Sequence, residues 1–172
     1  MRITYNRELK IKNSLDQEGI ENFIPMHYEF EKTSDWNVKK TLVPAIRGLI
    51  FVHSSQQELT RLKMYNPDFE PMHYTTNHFS ETQYDRILRV PDRQMENFMR
   101  VAAIQDERIA YLEMNEYLLK PGRRVRITEG DFKGAEGIIK RIKKRQCVVV
   151  QIEGVVAVAI TFVPSAWLEE IK

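Results

Sequence analysis

The segment from Gly122 to Gly137 constrains the fold of this 172-residue chain more than any other part of the sequence. It holds four of the chain's seven glycines. Glycine allows the sharp reversals and close backbone approach that a small β-barrel needs. A dinucleotide-binding loop is excluded because Gly130, Gly134 and Gly137 have the wrong spacing and no helix follows them.

The pattern from Gly122 to the end of the given sequence predicts a small all-β unit. Glu153-Gly154 is a tight hairpin signal between two apolar runs. Phe132 is placed to fill the open end of a barrel. Five strands are predicted: Arg124–Thr128, Gly137–Ile142, Cys147–Ile152, Val155–Phe162 and Trp167–Ile171.

The preceding part alternates helices and strands. Gly19 ends a helix predicted over Arg7–Glu18. The alternation from Ile24 to Phe30 is typical of a half-buried strand, although Pro25 confines that end to an edge or a strand start. Residues 31–40 are predicted to form a loop. The apolar run Leu49–Val52 is typical of a central strand.

Two further helices complete this part. Ser54 or Ser55 can cap a helix over Gln56–Tyr65, and Pro91 with Asp92 opens another with an apolar stripe that includes Phe98. Short strands are predicted at 72–75 and 87–90. Helices covering an antiparallel sheet give an α+β sandwich, followed by the barrel.

Charge supports a division of the chain. Residues 1–119 carry 15 basic and 18 acidic side chains, whereas residues 120–172 carry 11 basic and 6 acidic ones. The net charge of +2 therefore hides a basic second unit. A turn is predicted at Leu119–Gly122. We expect a first domain at 1–104, a linker at 105–119 and the barrel at 120–172.

Several function classes are disfavoured by composition. The single cysteine, Cys147, rules out an intrachain disulfide framework, and its apolar strand favours an inert thiol over a nucleophile. The histidines show no metal-ligand spacing; they are His27, His53, His73 and His78. No segment is apolar and long enough to cross a membrane. We expect a cytoplasmic protein with no catalytic activity, no cofactor and no metal.

Two motifs resemble a known family. Gly122–Gly137 resembles the KOW motif of SH3-like barrels in transcription and ribosomal proteins. Val43–Val52, after a basic loop, looks like the loop-to-strand element of the NusG N-terminal (NGN) domain. Read with Arg7–Pro25, the resemblance to NusG-type transcription factors covers nearly the whole chain. It implies an NGN-like domain joined to a KOW barrel, and a function in transcription elongation.

The resemblance also implies a polymerase site. In NusG-like proteins an apolar depression on the N-terminal sheet binds the clamp helices of RNA polymerase, and the matching positions are Pro44, Ile46, Leu49 and Phe51. Because side chains alternate along a strand, Ile50 and Val52 face away from Leu49 and Phe51, and only one set lies under the helices. We expect Leu49 and Phe51 at the surface.

The first strand departs from the family pattern. Family members begin with a strand containing Trp-Tyr, whereas only about half of that strand precedes Tyr5 here. A misassigned start codon or a short strand are the alternatives. Tyr5 is then the only aromatic residue left in the polymerase-facing depression.

Nucleic-acid contacts are predicted at two places. By resemblance to specialised NusG paralogues, Arg7 and Lys10 are candidates to reach the non-template DNA strand. In the barrel, Lys143, Lys144 and Arg145 belong to a basic cluster that can neutralise phosphates. A solvated turn or an acidic partner protein explains the cluster equally well, and no aromatic residue interleaves it to indicate base stacking.

The phrases Val90–Phe98 and Gly154–Pro164 look most like the UpxY-like antiterminators of polysaccharide operons in Bacteroides-type bacteria. The function implied is operon-specific modulation of pausing and termination, with a ribosomal protein or a termination factor as a partner for the KOW barrel. A ribosome-associated RNA-binding protein is the alternative, and a DNA-binding regulator acting before initiation is a weaker one.

Overall fold

The computed structural model describes residues 1–32, 37–76, 87–112 and 122–171. The chain divides into two compact units, Met1–Leu88 and Arg89–Lys172. Each unit contains helices and antiparallel strands, so the expected α+β class is confirmed.

In the described part of the first unit there are two α-helices and six short strands. The helices are α1 (Glu8–Gln17) and α2 (Gln56–Tyr65), and a 3₁₀ turn follows at Pro67–Phe69. The strands are β1 (Arg2–Ile3), β2 (Glu21–Phe23), β3 (Met26–Lys32), β4 (Val38–Pro44), β5 (Phe51–His53) and β6 (Met72–His73). They form antiparallel pairs of β1 with β6, β2 with β5 and β3 with β4.

Local sequence explains where the helices begin and end. Gly19 ends α1 with φ of +69°, where the Ile20 amide donates to the carbonyl of Leu15 at 2.9 Å. The Ser55 hydroxyl accepts from the Glu58 amide at 3.2 Å and caps α2. Both predicted helix ends are confirmed.

The core of the first unit lies under α1. Ile11 and Leu15 are fully buried one turn apart on this helix and pack with Ile50, Phe69 and Met72. Burying side chains of this size stabilises the fold by about 2 kcal/mol each before entropy costs are counted.

A buried carboxylate fixes the turn that leads into the strand at Leu49. The Gly48 amide donates to the carboxylate of Glu8, and the Gly48 carbonyl accepts from the Ile3 amide at 2.9 Å. Gly48 has φ of +67°, and a Cβ there would lie 2.7 Å from the Ile3 oxygen. Only glycine meets both requirements.

The hairpin of β3 and β4 corrects the predicted loop at 31–40. Strand β3 continues to Lys32, and β4 starts at Val38, so the connection is shorter than predicted. Residues 33–36 lie outside the described part. Tyr28 pairs with Leu42, and Phe30 pairs with Lys40.

The described residues of the second unit form one α-helix, a 3₁₀ turn at Ser165–Trp167 and a six-stranded antiparallel sheet. The helix is α3 (Asp92–Ala102). The strands are β7 (Ile109–Leu112), β8 (Arg124–Ile127), β9 (Glu136–Ile142), β10 (Arg145–Ile152), β11 (Val156–Thr161) and β12 (Leu168–Glu170). Their order is β12-β8-β9-β10-β11-β7. The five predicted strands are present, and the turn predicted at Glu153-Gly154 connects β10 with β11.

The sixth strand, β7, falls inside the segment predicted as a linker. Ile109 pairs with Ile160, and Leu112 pairs with Ala157. The four residues of β7, Ile-Ala-Tyr-Leu, are all apolar and show no period-2 alternation, so the pairing partner decides the strand. Residues 113–121, which include most of the predicted turn, lie outside the described part.

Helix α3 groups with the barrel in the second unit. It packs against β10 and β11. The Asn97 amide nitrogen donates to the Glu136 carbonyl at 2.6 Å, and its oxygen accepts from the Glu136 amide at 2.8 Å. The contact boundary therefore lies at Leu88, whereas the predicted domain limit lies at residue 104. The domain limits expected from the sequence, 1–104, 105–119 and 120–172, stay a prediction.

The predicted plug and glycine turn of the barrel are both present. Phe132 is buried, and Arg108 lies over its ring at 4.8 Å from the centroid. Gly130 has φ of +77°, and a Cβ there would lie 2.7 Å from the ring of Trp167. Gly130 is thus explained by the fold itself.

Candidate functional site

The predicted polymerase-facing strand is buried on both faces. Ile50 belongs to the core under α1, as the alternation predicts. Leu49 and Phe51, which we expected at the surface, are 0% and 8% exposed. The surface placement is wrong because alternation separates two faces of a strand without showing whether the second face is covered.

The other predicted contact residues are accessible. Tyr5 is 82% exposed with φ of +65°, and the Arg7 guanidinium lies 5.7 Å from its ring centroid. Pro44 and Ile46 are half-buried. The predicted set therefore separates into three residues with accessible surface and two without it.

An apolar surface lies instead on one face of the β3–β4 hairpin. Cross-strand partners share a face, so Tyr28 with Leu42 and Phe30 with Lys40 lie on one side. We call this side the hairpin face; its exposed apolar members are Tyr28, Phe30, Val38 and Leu42. Pro44 opposite Met26 continues the same face.

Lys40 lies at the centre of the hairpin face. Its ammonium group is 3.9 Å from the Tyr28 ring centroid and 5.7 Å from that of Phe30. A cation over aromatic rings is attracted by the negative ring faces. The acidic residues of β3, Glu29 and Glu31, occupy alternate positions and point to the opposite side.

The two candidate cations of α1 have different surroundings. Lys10 is paired with Asp68 at 2.7 Å at an exposed position. Arg7 precedes the helix and lies near Tyr5. An exposed ion pair contributes little stability, so Lys10 can exchange its carboxylate for a phosphate at small cost.

In the barrel, several arginines are held by carboxylates. Arg126 donates to Glu136 at 2.7 Å and Arg93 donates to the same carboxylate at 3.0 Å. The hydrogen bond from Arg126, more than any other contact, lowers the pKa of Glu136. Arg108 pairs with Asp106 at 2.6 Å and with Asp131, and lowers the pKa of Asp106.

The predicted basic cluster has a different environment. Lys143, Lys144 and Arg145 are exposed at the turn between β9 and β10. Within the described residues, none of these three cations has a carboxylate within ion-pair distance. We call this turn the basic tip.

An aromatic residue that the sequence reading missed lies beside the basic tip. Phe162 is 68% exposed, and the Arg145 guanidinium is 5.2 Å from its ring centroid. No aromatic residue interleaves the cluster along the sequence, but strand pairing brings Phe162 beside it. The strand register indicates this neighbour. If Ile152 lies opposite Val156 across the Glu153-Gly154 turn, the same antiparallel pairing brings residue 162 beside the start of β10.

The groups considered for catalysis are ordinary in the structure. Cys147 is buried, which raises the pKa of its thiol and disfavours the thiolate. His53 pairs with Glu21 at 2.9 Å, and His27 lies 3.5 Å from Glu29. His78 is outside the described part. No group of three metal-ligating side chains comes together among the described residues.

The described helices include none that is long and apolar enough to span a membrane. Residues 1–99 match a family model described as transcription termination factor NusG, and residues 121–154 match the KOW motif. No curated protein sequence matches the chain.

One solved structure similar to this chain is described as "Domain interaction in Thermotoga maritima NusG". The two share 20% sequence identity with a TM-score of 0.43, over 99% of this chain and 94% of the other.

Proposed function

The chain belongs to the NusG family of transcription factors, and from this membership we propose that it is a non-catalytic elongation factor that binds RNA polymerase and modulates pausing and termination. The observation that carries the proposal is the family match over residues 1–99, followed by a KOW match at 121–154. We extend it to operon-specific antitermination of the UpxY-like type, on the residue phrases at 90–98 and 154–164.

We place the polymerase contact on accessible apolar surface of the first unit. Tyr5, Pro44 and Ile46 remain in the proposed contact set. Leu49 and Phe51 are buried and offer no surface. The hairpin face joins the set because it continues from Pro44 and exposes aromatic side chains. Exposed apolar patches of this kind are typical of protein-binding sites, and buried aromatic anchors supply much of the binding energy there.

Such a factor acts by preferential binding. If it binds the elongating conformation of the polymerase clamp more tightly than the paused one, it shifts the population toward elongation by the ratio of the two affinities. This requires no chemistry from the chain itself.

The charged groups provide a second set of proposed contacts. Arg7 and Lys10 would meet phosphates of the non-template DNA strand, and the basic tip would meet phosphates or an acidic partner such as a ribosomal protein or a termination factor. A ribosome-associated RNA-binding role is the second candidate function. The absence of carboxylates beside Lys143, Lys144 and Arg145 among the described residues favours it.

The test is recovery of RNA polymerase on the tagged full chain from a native lysate. We expect the large polymerase subunits to co-purify. Phe30→Ala and Tyr5→Ala should each weaken binding of purified polymerase by about fivefold or more, the loss typical of an interface anchor. Polymerase-dependent pausing on a defined template should change in parallel.

Phe162→Asn is the matched control, because it removes an exposed phenylalanine from the second unit. It should leave polymerase recovery unchanged. Failure of the unaltered chain to retain polymerase would refute the proposal. Equal retention by Tyr5→Ala, Phe30→Ala and the control would refute the proposed surface.

A further inference from the structure

We propose that the basic tip and Phe162 form one site for single-stranded nucleic acid, in which the cations contact phosphates and the phenyl ring stacks on a base. The inference rests on the phosphate contact proposed for the barrel. It adds a preference for single strands and a residue that provides it.

The positive charge of the basic tip is concentrated. Residues 142–152 contain its three basic residues and no acidic one. Elsewhere in the same unit, Arg93, Arg108 and Arg126 are engaged by carboxylates. Cations already paired in this way have less to gain from a phosphate than the exposed cations of the basic tip.

The backbone of the basic tip has a conformation that is uncommon for lysine. Lys143 and Lys144 have φ of +47° and +68°, and Ile142 pairs with Arg145 across them. Two positive φ values in a two-residue hairpin loop are the pattern that matches the twist of the flanking strands. Asparagine and glycine favour these conformations, whereas lysine gains nothing locally from them. Local backbone preference therefore does not explain the two lysines, which is consistent with a role in binding.

Phe162 is unexplained by packing or backbone preference. It is 68% exposed, so it contributes little to the core. Its φ of +58° is a left-handed conformation that costs free energy for a bulky side chain. The ring is also next to Arg145, at 5.2 Å. An exposed aromatic ring with a guanidinium beside it presents the surface on which an unpaired base stacks.

The combination distinguishes single strands from other partners. Cations alone would bind duplex and single strand through phosphates without preference for unpaired bases. An exposed ring adds affinity only where a base face is free, as it is in a single strand and not inside a duplex. RNA and DNA single strands share this chemistry, and the experiment below separates them.

The experiment measures binding of the full chain to fluorescein-labelled 12-nucleotide oligo(U), oligo(dT) and an RNA duplex of about the same length by anisotropy. We expect single strands to bind more tightly than the duplex. Phe162→Asn should weaken single-strand binding between about 5-fold and 150-fold, the range for loss of base stacking, and leave duplex binding unchanged. Asparagine tolerates positive φ, so the turn is retained, and Phe162→Tyr should restore binding.

Two further variants separate the parts of the proposal. Lys143→Ala should reduce the salt dependence of single-strand binding by about 0.7 in slope, whereas Phe162→Asn should leave that slope unchanged. Phe30→Ala is the matched control, with an exposed ring near a lysine in the first unit. Tighter binding of oligo(U) than of oligo(dT) would identify RNA as the source, and the reverse would identify DNA.

The outcomes are distinguishable. Binding of duplex and single strand with equal affinity, with no effect of Phe162→Asn, would overturn the stacking site and leave the phosphate contact standing. No binding to any of the three probes would overturn both. If Phe30→Ala weakened single-strand binding as much as Phe162→Asn does, the proposed location of the site at the basic tip would be wrong.

Discussion

Two strand segments of the first unit carry apolar side chains, continuous in one and alternating with polar residues in the other, and their surroundings differ. In the segment 49–52, Leu49 and Ile50 are both fully buried. In β3, Tyr28 and Phe30 are 37% and 55% exposed. The alternation predicts the opposite assignment, with a half-buried β3 and an exposed Leu49. The difference shows that periodicity identifies the faces of a strand and leaves open which face is covered.

The difference also moves the proposed functional surface. The hairpin face provides accessible apolar area next to Pro44, and Lys40 there lies over two aromatic rings. Leu49 and Phe51 have the residue types of a binding patch and the burial of a core. A substitution there would report on folding before it reported on any partner.

The largest expected effect is on stability. Leu49→Ala should lower the free energy of unfolding by about 3 kcal/mol, because it removes buried methyl groups and leaves a cavity. Phe30→Ala should lower it by less than about 1 kcal/mol, because its ring is already half in water. Urea unfolding followed by circular dichroism measures both. Equal losses of unfolding free energy in the two variants would contradict the burial of Leu49 and the exposure of Phe30.

Much of the fold was predictable from local sequence because local chemistry decides it. Gly19 requires positive φ at the end of α1, and Ser55 supplies the cap of α2. Gly154 places the turn between β10 and β11. Helix ends and tight turns depend on a few adjacent residues, which the sequence shows directly.

The features that escaped prediction depend on distant partners. Strand β7 exists because Ile109–Leu112 pairs with β11, which the polar stretch around it does not announce. Burial of Leu49 depends on what covers its second face. Phe162 reaches Arg145 only through the register of β10 and β11. Long-range pairing sets all three, so no local window contains the information.

A smaller effect is expected in chemical labelling of the native protein. Hydroxyl radicals should modify Phe30 severalfold faster than Phe51, since their exposed fractions are 55% and 8%. Peptide mass spectrometry after short pulses measures the two rates in the same sample. In urea the rates should converge, because unfolding exposes both rings. Comparable native rates would mean that the second face of the segment 49–52 is open to solvent.

The smallest effect tests what organises the hairpin face. Lys40→Met keeps an unbranched side chain and removes the charge over Tyr28, so it should lower the free energy of unfolding by about 0.5 kcal/mol, the usual size at exposed sites. In a Tyr28→Leu background the same change should have a smaller effect, because only the more distant Phe30 ring, at 5.7 Å, remains. If Lys40→Met is equally destabilising in both backgrounds, the lysine acts through something other than the ring. Without coupling between Lys40 and Tyr28, each exposed aromatic side chain of the hairpin face would act on its own. The packed side chains around Ile50 differ, because each of them contacts several others in the core.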